Sequence, residues 1–233
     1  MMEPSLNQDD TVVSRYHAVR QMIDAAAIDV GRDPLSVNLL SVSKTFPASD
    51  IQTLYHAGVR AFGENRIPEL ESKAAQLPGD IEWHFIGQLQ ANKVRRAVRL
   101  AACIHSVDSL ALLERIDRIA GEENRCPGIF IEINSGEESK SGCHISEAPE
   151  LVLRAAGMAH VKPLGLMTMS AADATEAEQF RTFEKLAVLQ RELAAKGVFL
   201  PDLSMGMSGD FKAAIAAGST WVRIGTAIFG GRS

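Results

Sequence analysis

The chain has 233 residues, 46% of them hydrophobic and 23% charged, a balance that suits one globular domain with a sizeable core and excludes general disorder. Its formal net charge of -5 argues against a general polyanion binder, because nonspecific nucleic-acid binding rests on many Lys and Arg contacts to phosphate. Cys103, Cys126 and Cys143 are widely spaced and form no Cys-x-x-Cys pair, so neither a disulfide framework nor a zinc site is indicated and reduced cytosolic thiols fit best.

Residues 1–10 read as a polar, acidic tail with no basic start and no apolar core, and no later run is long enough to span a bilayer. The expectation is a cytoplasmic protein without membrane contact. Residues 12–28 carry Val13, Tyr16, Val19, Met22 and Ile23 near helical spacing, which predicts an amphipathic helix stopped by Gly31 and Pro34. Short apolar runs then alternate with longer helical patterns. Strands are predicted over 37–42, 61–62, 82–86, 103–105, 128–133, 161–166, 202–204 and 221–224. Helices are predicted over 49–57, 69–76, 91–100, 110–122, 147–158, 174–196 and 211–217. This alternation predicts an α/β fold, a (β/α)8 TIM barrel forming a single domain over 11–233, with the extra N-terminal helix covering the side where a last helix is missing. A doubly wound open sheet is the alternative, and it would need fewer strands or a longer chain.

In such a barrel the loops after the strands build the site. The first strand ends in Ser43-Lys44-Thr45, the second in Gly63-Glu64-Asn65, the third in Gly87-Gln88 and the fifth in Asn134. The seventh opens into Ser204-Met205-Gly206-Met207-Ser208-Gly209-Asp210, and the eighth carries Arg223 and ends in Gly225-Thr226. Together these residues describe a pocket for a phosphorylated carbonyl compound. The glycines and Ser208 suit a phosphate, although turn glycines and helix-capping serines explain the same residues without one. Lys44 follows the apolar run Leu39-Leu40-Ser41-Val42, which sets its amine near the barrel mouth, where burial favours the neutral form that attacks an aldehyde. Taken alone, a solvated loop lysine is the commoner case. His84 reads either as a catalytic base or, more commonly for a histidine in an apolar strand, as a hydrogen-bonded core residue. Lys93, Arg95, Arg96 and Arg99 form a basic helix face of a kind that is usually just solvated. Lys140 falls in a polar loop, and Met205 and Met207 read as packing residues.

Together these segments resemble the pyridoxal phosphate homeostasis protein family, whose fold is similar to the N-terminal barrel domain of alanine racemase. The resemblance spans nearly the whole chain, through Ser43-Lys44-Thr45, Phe62-Gly63-Glu64-Asn65, Trp83-His84-Phe85-Ile86-Gly87-Gln88, Ser139-Lys140-Ser141-Gly142, Ser204-Met205-Gly206-Met207-Ser208 and Val222-Arg223-Ile224-Gly225-Thr226. It implies pyridoxal 5'-phosphate (PLP) held as a Schiff base on Lys44. Its phosphate is then expected around Ser208, Gly225 and Thr226, with Ser204 as a further candidate. Arg223 is expected near the pyridine nitrogen and Asn65 along the cofactor. The resemblance also raises Lys140 to a candidate for secondary PLP capture. Pro68 departs from the glutamine more usual in the family and leaves the start of its helix open.

Three functions follow from different classes. The first is a non-catalytic PLP carrier that acts in intracellular PLP homeostasis, serving PLP-dependent apoenzymes as a monomer. The second is an amino-acid racemase of the alanine racemase type, which normally wants a base on each face of the substrate carbon. Tyr16 and Tyr55 both fall in helices, so neither is available for that work. A lysine-imine aldolase acting on sugar phosphates is the third, with an unusual first-strand lysine.

Overall fold

A computed structural model describes residues 11–136 and 141–231. Eight parallel strands close into one barrel in chain order: β1 (Asn38–Val42), β2 (Ala61–Glu64), β3 (Glu82–Phe85), β4 (Cys103–Val107), β5 (Gly128–Glu132), β6 (Lys162–Met167), β7 (Asp202–Ser204) and β8 (Trp221–Ile224). The barrel shuts where β8 pairs with β1, in a register that sets Leu40 beside Arg223. Every strand expected from the sequence is present. Three run further than the apolar runs suggest, so that Glu64, Val107 and Met167 belong to strands.

Helices connect the strands as α1 (Val12–Asp29), α2 (Ala48–His56), α3 (Ile67–Ala74), α4 (Val94–Leu100), α5 (Leu110–Glu122), α6 (Ala148–Ala156), α7 (Glu176–Ala195), α8 (Phe211–Ala216) and α9 (Thr226–Phe229). α1 starts at a capping box in which Thr11 and Ser14 exchange backbone and side-chain hydrogen bonds, and Thr175 and Glu178 do the same for α7. α3 begins two residues earlier than the pattern suggests. Pro68 sits in its first turn, where a missing N–H costs no intrahelical bond. The single helix expected over 91–100 is divided, a 3-10 turn at Ala91–Lys93 leading into α4.

α1 packs on α2, α8 and the one-turn α9 and so completes the helical ring. Arg15 Nε donates to Ile228 O at 2.7 Å, and Phe46 stacks on Phe229 with ring centroids 5.0 Å apart. Strand side chains alternate between two environments, as the period of a strand requires. Leu39, Phe62, Ile104, Ile129, Val222 and Ile224 join the large core between strands and helices. Cys103, Phe130 and Met167 form a small cluster inside the barrel, backed by Leu164, Met169 and Trp221. His84 packs against Trp221, and His105 stacks on Phe130 with centroids 4.3 Å apart, so polar side chains share that interior.

Close backbone approach makes one glycine indispensable to this closure. A Cβ on Gly165 of β6 would lie 1.9 Å from the carbonyl oxygen of Asp202 in β7 and 3.0 Å from the Phe130 ring. Gly165→Ala is therefore expected to destabilise the barrel by about 3 kcal/mol, read as a lower midpoint in urea unfolding at unchanged slope.

Candidate functional site at the barrel mouth

A cavity of about 460 Å³ opens at the C-terminal ends of the strands. Lys44, Asn65, Arg223, Ser208, Gly225 and Thr226 all line it, joined by Gly209, Ser141 and Glu132. Lys44 is half-buried there, directly beyond the end of β1. Asn65 is held by a tight approach of two loops, because a Cβ on Gly87 would fall 2.2 Å from the Asn65 carbonyl oxygen. Ser204 is placed differently from the other candidates. It is fully buried and off the cavity wall, bonded to Arg223 and His105. Lys140 lies outside the described residues.

The loops after β7 and β8 supply donors. Asp210 ties the first loop by accepting Met207 N–H through Oδ1 and the Ser170 hydroxyl through Oδ2. Gly206 turns the chain at φ +92° with Phe211 and Ala214 against it, so no larger residue fits. Among the described residues no acceptor is found for the backbone N–H of Ser208, Gly209 or Thr226. Three uncommitted N–H groups, with the Ser208 and Thr226 hydroxyls beside them, make a ready anion cradle.

Arg223 is 4% exposed. Its guanidinium donates to Ser204 O at 2.6 Å, Ser204 Oγ at 2.8 Å and Thr168 O at 3.0 Å, all neutral acceptors. Among the described residues no carboxylate lies within salt-bridge distance of it. A guanidinium carries five N–H donors, so capacity is left for a ligand acceptor. Burial pulls its pKa down to about 10, opposed by the fields of Asp210 and Glu132, and it stays charged at neutral pH. Glu132 is itself buried, with Oε1 accepting the Ser141 hydroxyl at 2.6 Å. Burial raises its pKa against that hydrogen bond.

Sequence reasoning did not single out Glu132. A signal was available: it is the one charged residue of β5 and stands two residues after Phe130, on the same inward parity.

His84 is a core residue. Its Nδ1 lies 2.8 Å from His105 Nε2, and His105 Nδ1 lies 2.9 Å from Ser204 Oγ, so a buried polar chain runs from His84 to Arg223. Cys103 lies within 4.8 Å of both imidazoles, a grouping that spacing in the chain does not reveal. The basic helix face carries ion pairs, Arg95 and Arg99 meeting Glu123 and Arg96 meeting Glu71. A second cavity, about 470 Å³, lies beside the loop after β5, with Asn134, His144, Thr182 and Lys185 in its wall. It includes neither Lys44 nor Arg223.

A parallel barrel with a lysine beyond β1 and an anion cradle after β7 and β8 defines the class of the alanine racemase N-terminal domain, and the model of that family matches residues 38–233. Alanine racemase of Clostridium difficile shares this fold with a TM-score of 0.72 at 15% identity, over 91% of this chain and 56% of that one. The chain belongs to the pyridoxal phosphate homeostasis protein family. It is 40% identical over 229 residues to the member from Pseudomonas aeruginosa, covering 95% of this chain and 96% of that protein. It is 41% identical over 219 residues to the member from Escherichia coli K12, covering 92% and 94%. PipY of Synechococcus elongatus, solved with PLP bound, superposes with a TM-score of 0.83 at 38% identity, over 94% of this chain and all of that one.

The histidine chain has a pH signature. Burial holds the His84 pKa at about 4 against an ordinary 6.5, and pushes His105 down as well. Between those pH values the unfolded chain binds a proton at His84 that the folded chain refuses, so stability is full above pH 6.5 and falls toward pH 4. Across that window His84 is expected to cost about 3 kcal/mol. Urea unfolding at pH 7.5 and 4.5 measures it, the wild type losing more than His84→Gln.

Proposed function

We propose that this chain binds PLP at the barrel mouth, holds it covalently as a Schiff base on Lys44, and acts in intracellular PLP homeostasis without robust catalysis. The observation that carries the reading is the uncommitted N–H groups of Ser208, Gly209 and Thr226 in the same cavity as Lys44. The family and the PLP-bound PipY relative support it. When bound, PLP supplies an aldehyde that takes up amines and a pyridine ring able to accept electrons.

The residues divide the work. Ser208, Gly209, Gly225 and Thr226 would hold the phosphate, and Asn65 would bound the ring. Arg223 would meet the pyridine nitrogen, with Ser204 supporting it from beneath. A guanidinium at pKa about 10 only donates at neutral pH, so a pyridine nitrogen held by it would stay unprotonated and the ring would be a weak electron sink. That disfavours carbanion chemistry and favours storage. Release passes to PLP-dependent apoenzymes from a cytoplasmic monomer, with Lys140 as a secondary capture point.

Glu132 favours one competing reading. Tyr16 and Tyr55 both fall in helices, but Glu132 adds a buried carboxyl to the cavity wall. A racemase needs a second base facing the lysine, and a carboxylate with a raised pKa is chemically able to serve.

Two measurements decide. PLP added to the purified protein should give an absorption band that borohydride fixes on Lys44, and Lys44→Ala should abolish it. A full band in that variant overturns the assignment. The loaded protein should leave the optical rotation of single-enantiomer amino acids unchanged over hours, whereas rapid loss of rotation that disappears in Glu132→Gln would establish the racemase.

A further inference from the structure

A lysine in the last turn of a short surface helix is ordinarily solvated. Lys73 of α3 is 5% exposed, and its ammonium donates at 2.7 Å to each of three oxygens, Ser43 O, Glu64 Oε1 and Glu69 Oε1. Its three donors are thereby used. Glu64, fully buried at the end of β2, also accepts the Ser43 hydroxyl at 2.6 Å. Glu69 also accepts the Thr45 backbone N–H at 2.6 Å.

The two residues gripped in this way, Ser43 and Thr45, are the chain neighbours of Lys44. Thr45 has φ +70°, the left-handed region that a β-branched residue avoids. Phe46 N–H closes the turn onto Ser43 O at 3.1 Å. Such strain persists only where the surroundings over-determine it, and here they do so through two carboxylates joined by one ammonium. Stability alone is a poor reason for the arrangement. Among the described residues Glu64 Oε2 is buried with no hydrogen-bond partner, and a partly satisfied buried ionic network is a weak source of folding energy.

We propose that Lys73, Glu64 and Glu69 are positioning residues that lock the Ser43-Lys44-Thr45 turn, so that α3 aims the Lys44 amine into the cavity. The inference rests on Lys44 as the PLP anchor. The clamp spares Lys44 from searching backbone conformations before it meets the aldehyde, and orientation of this kind commonly governs the rate of attack. Glu69 is the member to test, because it is the most exposed of the three and its removal leaves the buried Glu64–Lys73 pair in place.

The test compares wild type, Glu69→Ala and Glu69→Gln on the full chain. Gln keeps an oxygen able to accept both the Thr45 N–H and the Lys73 ammonium, whereas Ala keeps none. Stopped-flow absorbance on mixing with PLP should show attachment to Lys44 slowed at least tenfold in Glu69→Ala and restored to within about threefold in Glu69→Gln. In PLP-free protein the Thr45 amide should exchange with deuterium at least tenfold faster in Glu69→Ala than in the other two. Equal attachment rates in all three, or a Gln variant as slow as the Ala variant, overturn the proposal. A Thr45 amide as fast in wild type as in Glu69→Ala overturns it without reference to PLP. A wild type in which borohydride labels no Lys44 would instead sink the anchor reading, while the exchange data still judge the clamp.

Discussion

A guanidinium sealed inside a β-barrel is the constraint around which the interior is arranged. Arg223 cannot shed its proton at neutral pH, and taking it out of water costs several kcal/mol unless its donors are met. The chain meets the cost with neutral oxygens rather than a carboxylate: Ser204 twice and Thr168 once. Ser204 is then fixed by His105, and His105 by His84, so β3, β4, β7 and β8 are tied through one polar chain. Both imidazoles must be neutral for this to hold, since two further charges beside Arg223 would repel it. Burial supplies that neutrality. Among the described residues Arg223 has no ion pair, so its remaining donors are available to whatever enters from the mouth.

The fold was legible because its signal is periodic and local. Eight apolar runs separated by helical patterns have few globular solutions, and the strands at 202–204 and 221–224 have the boundaries that the apolar pattern suggests. The one-turn α9 escaped notice, being too short for any period to show. Lys44, Asn65, Ser208, Arg223, Gly225 and Thr226 were legible as strand-end residues of suitable chemistry, and the structure gathers them around one cavity. Ser204 was legible only as a type. From the chain it is one more serine near a phosphate loop, and its burial beneath Arg223 depends on the inward parity of β7.

What stayed hidden is long-range and charged. Lys73 reads as a solvated helix lysine because nothing in its own segment announces that Glu64, nine residues earlier, points at it. Glu132 stands at the end of an otherwise apolar strand, which masks it. Nothing in the chain joins His84 to His105; they meet because β3 and β4 are neighbours, with His84 level with Cys103. Each of these depends on which strands are neighbours and which face each residue takes, two facts that exist only once the barrel has closed.

The arrangement of charges also bears on whether this site holds a ligand or transforms one. Interactions equally strong in the ground state and the transition state tighten binding without accelerating chemistry. Toward a phosphate, which keeps its charge throughout, the uncommitted N–H groups of the β7 and β8 loops would be of that kind. Were the pyridine nitrogen to meet Arg223, a guanidinium that only donates would leave that nitrogen unprotonated, and the ring would draw electrons less strongly. Glu132 is the exception, a buried carboxyl already sharing its Oε1 with Ser141. Used as a base, it would have to gain a proton beside Arg223, giving up the favourable field between the two charges. On the proposed reading, the energetics of the interior would weigh toward retention of a bound aldehyde and against turnover at the carbon attached to it.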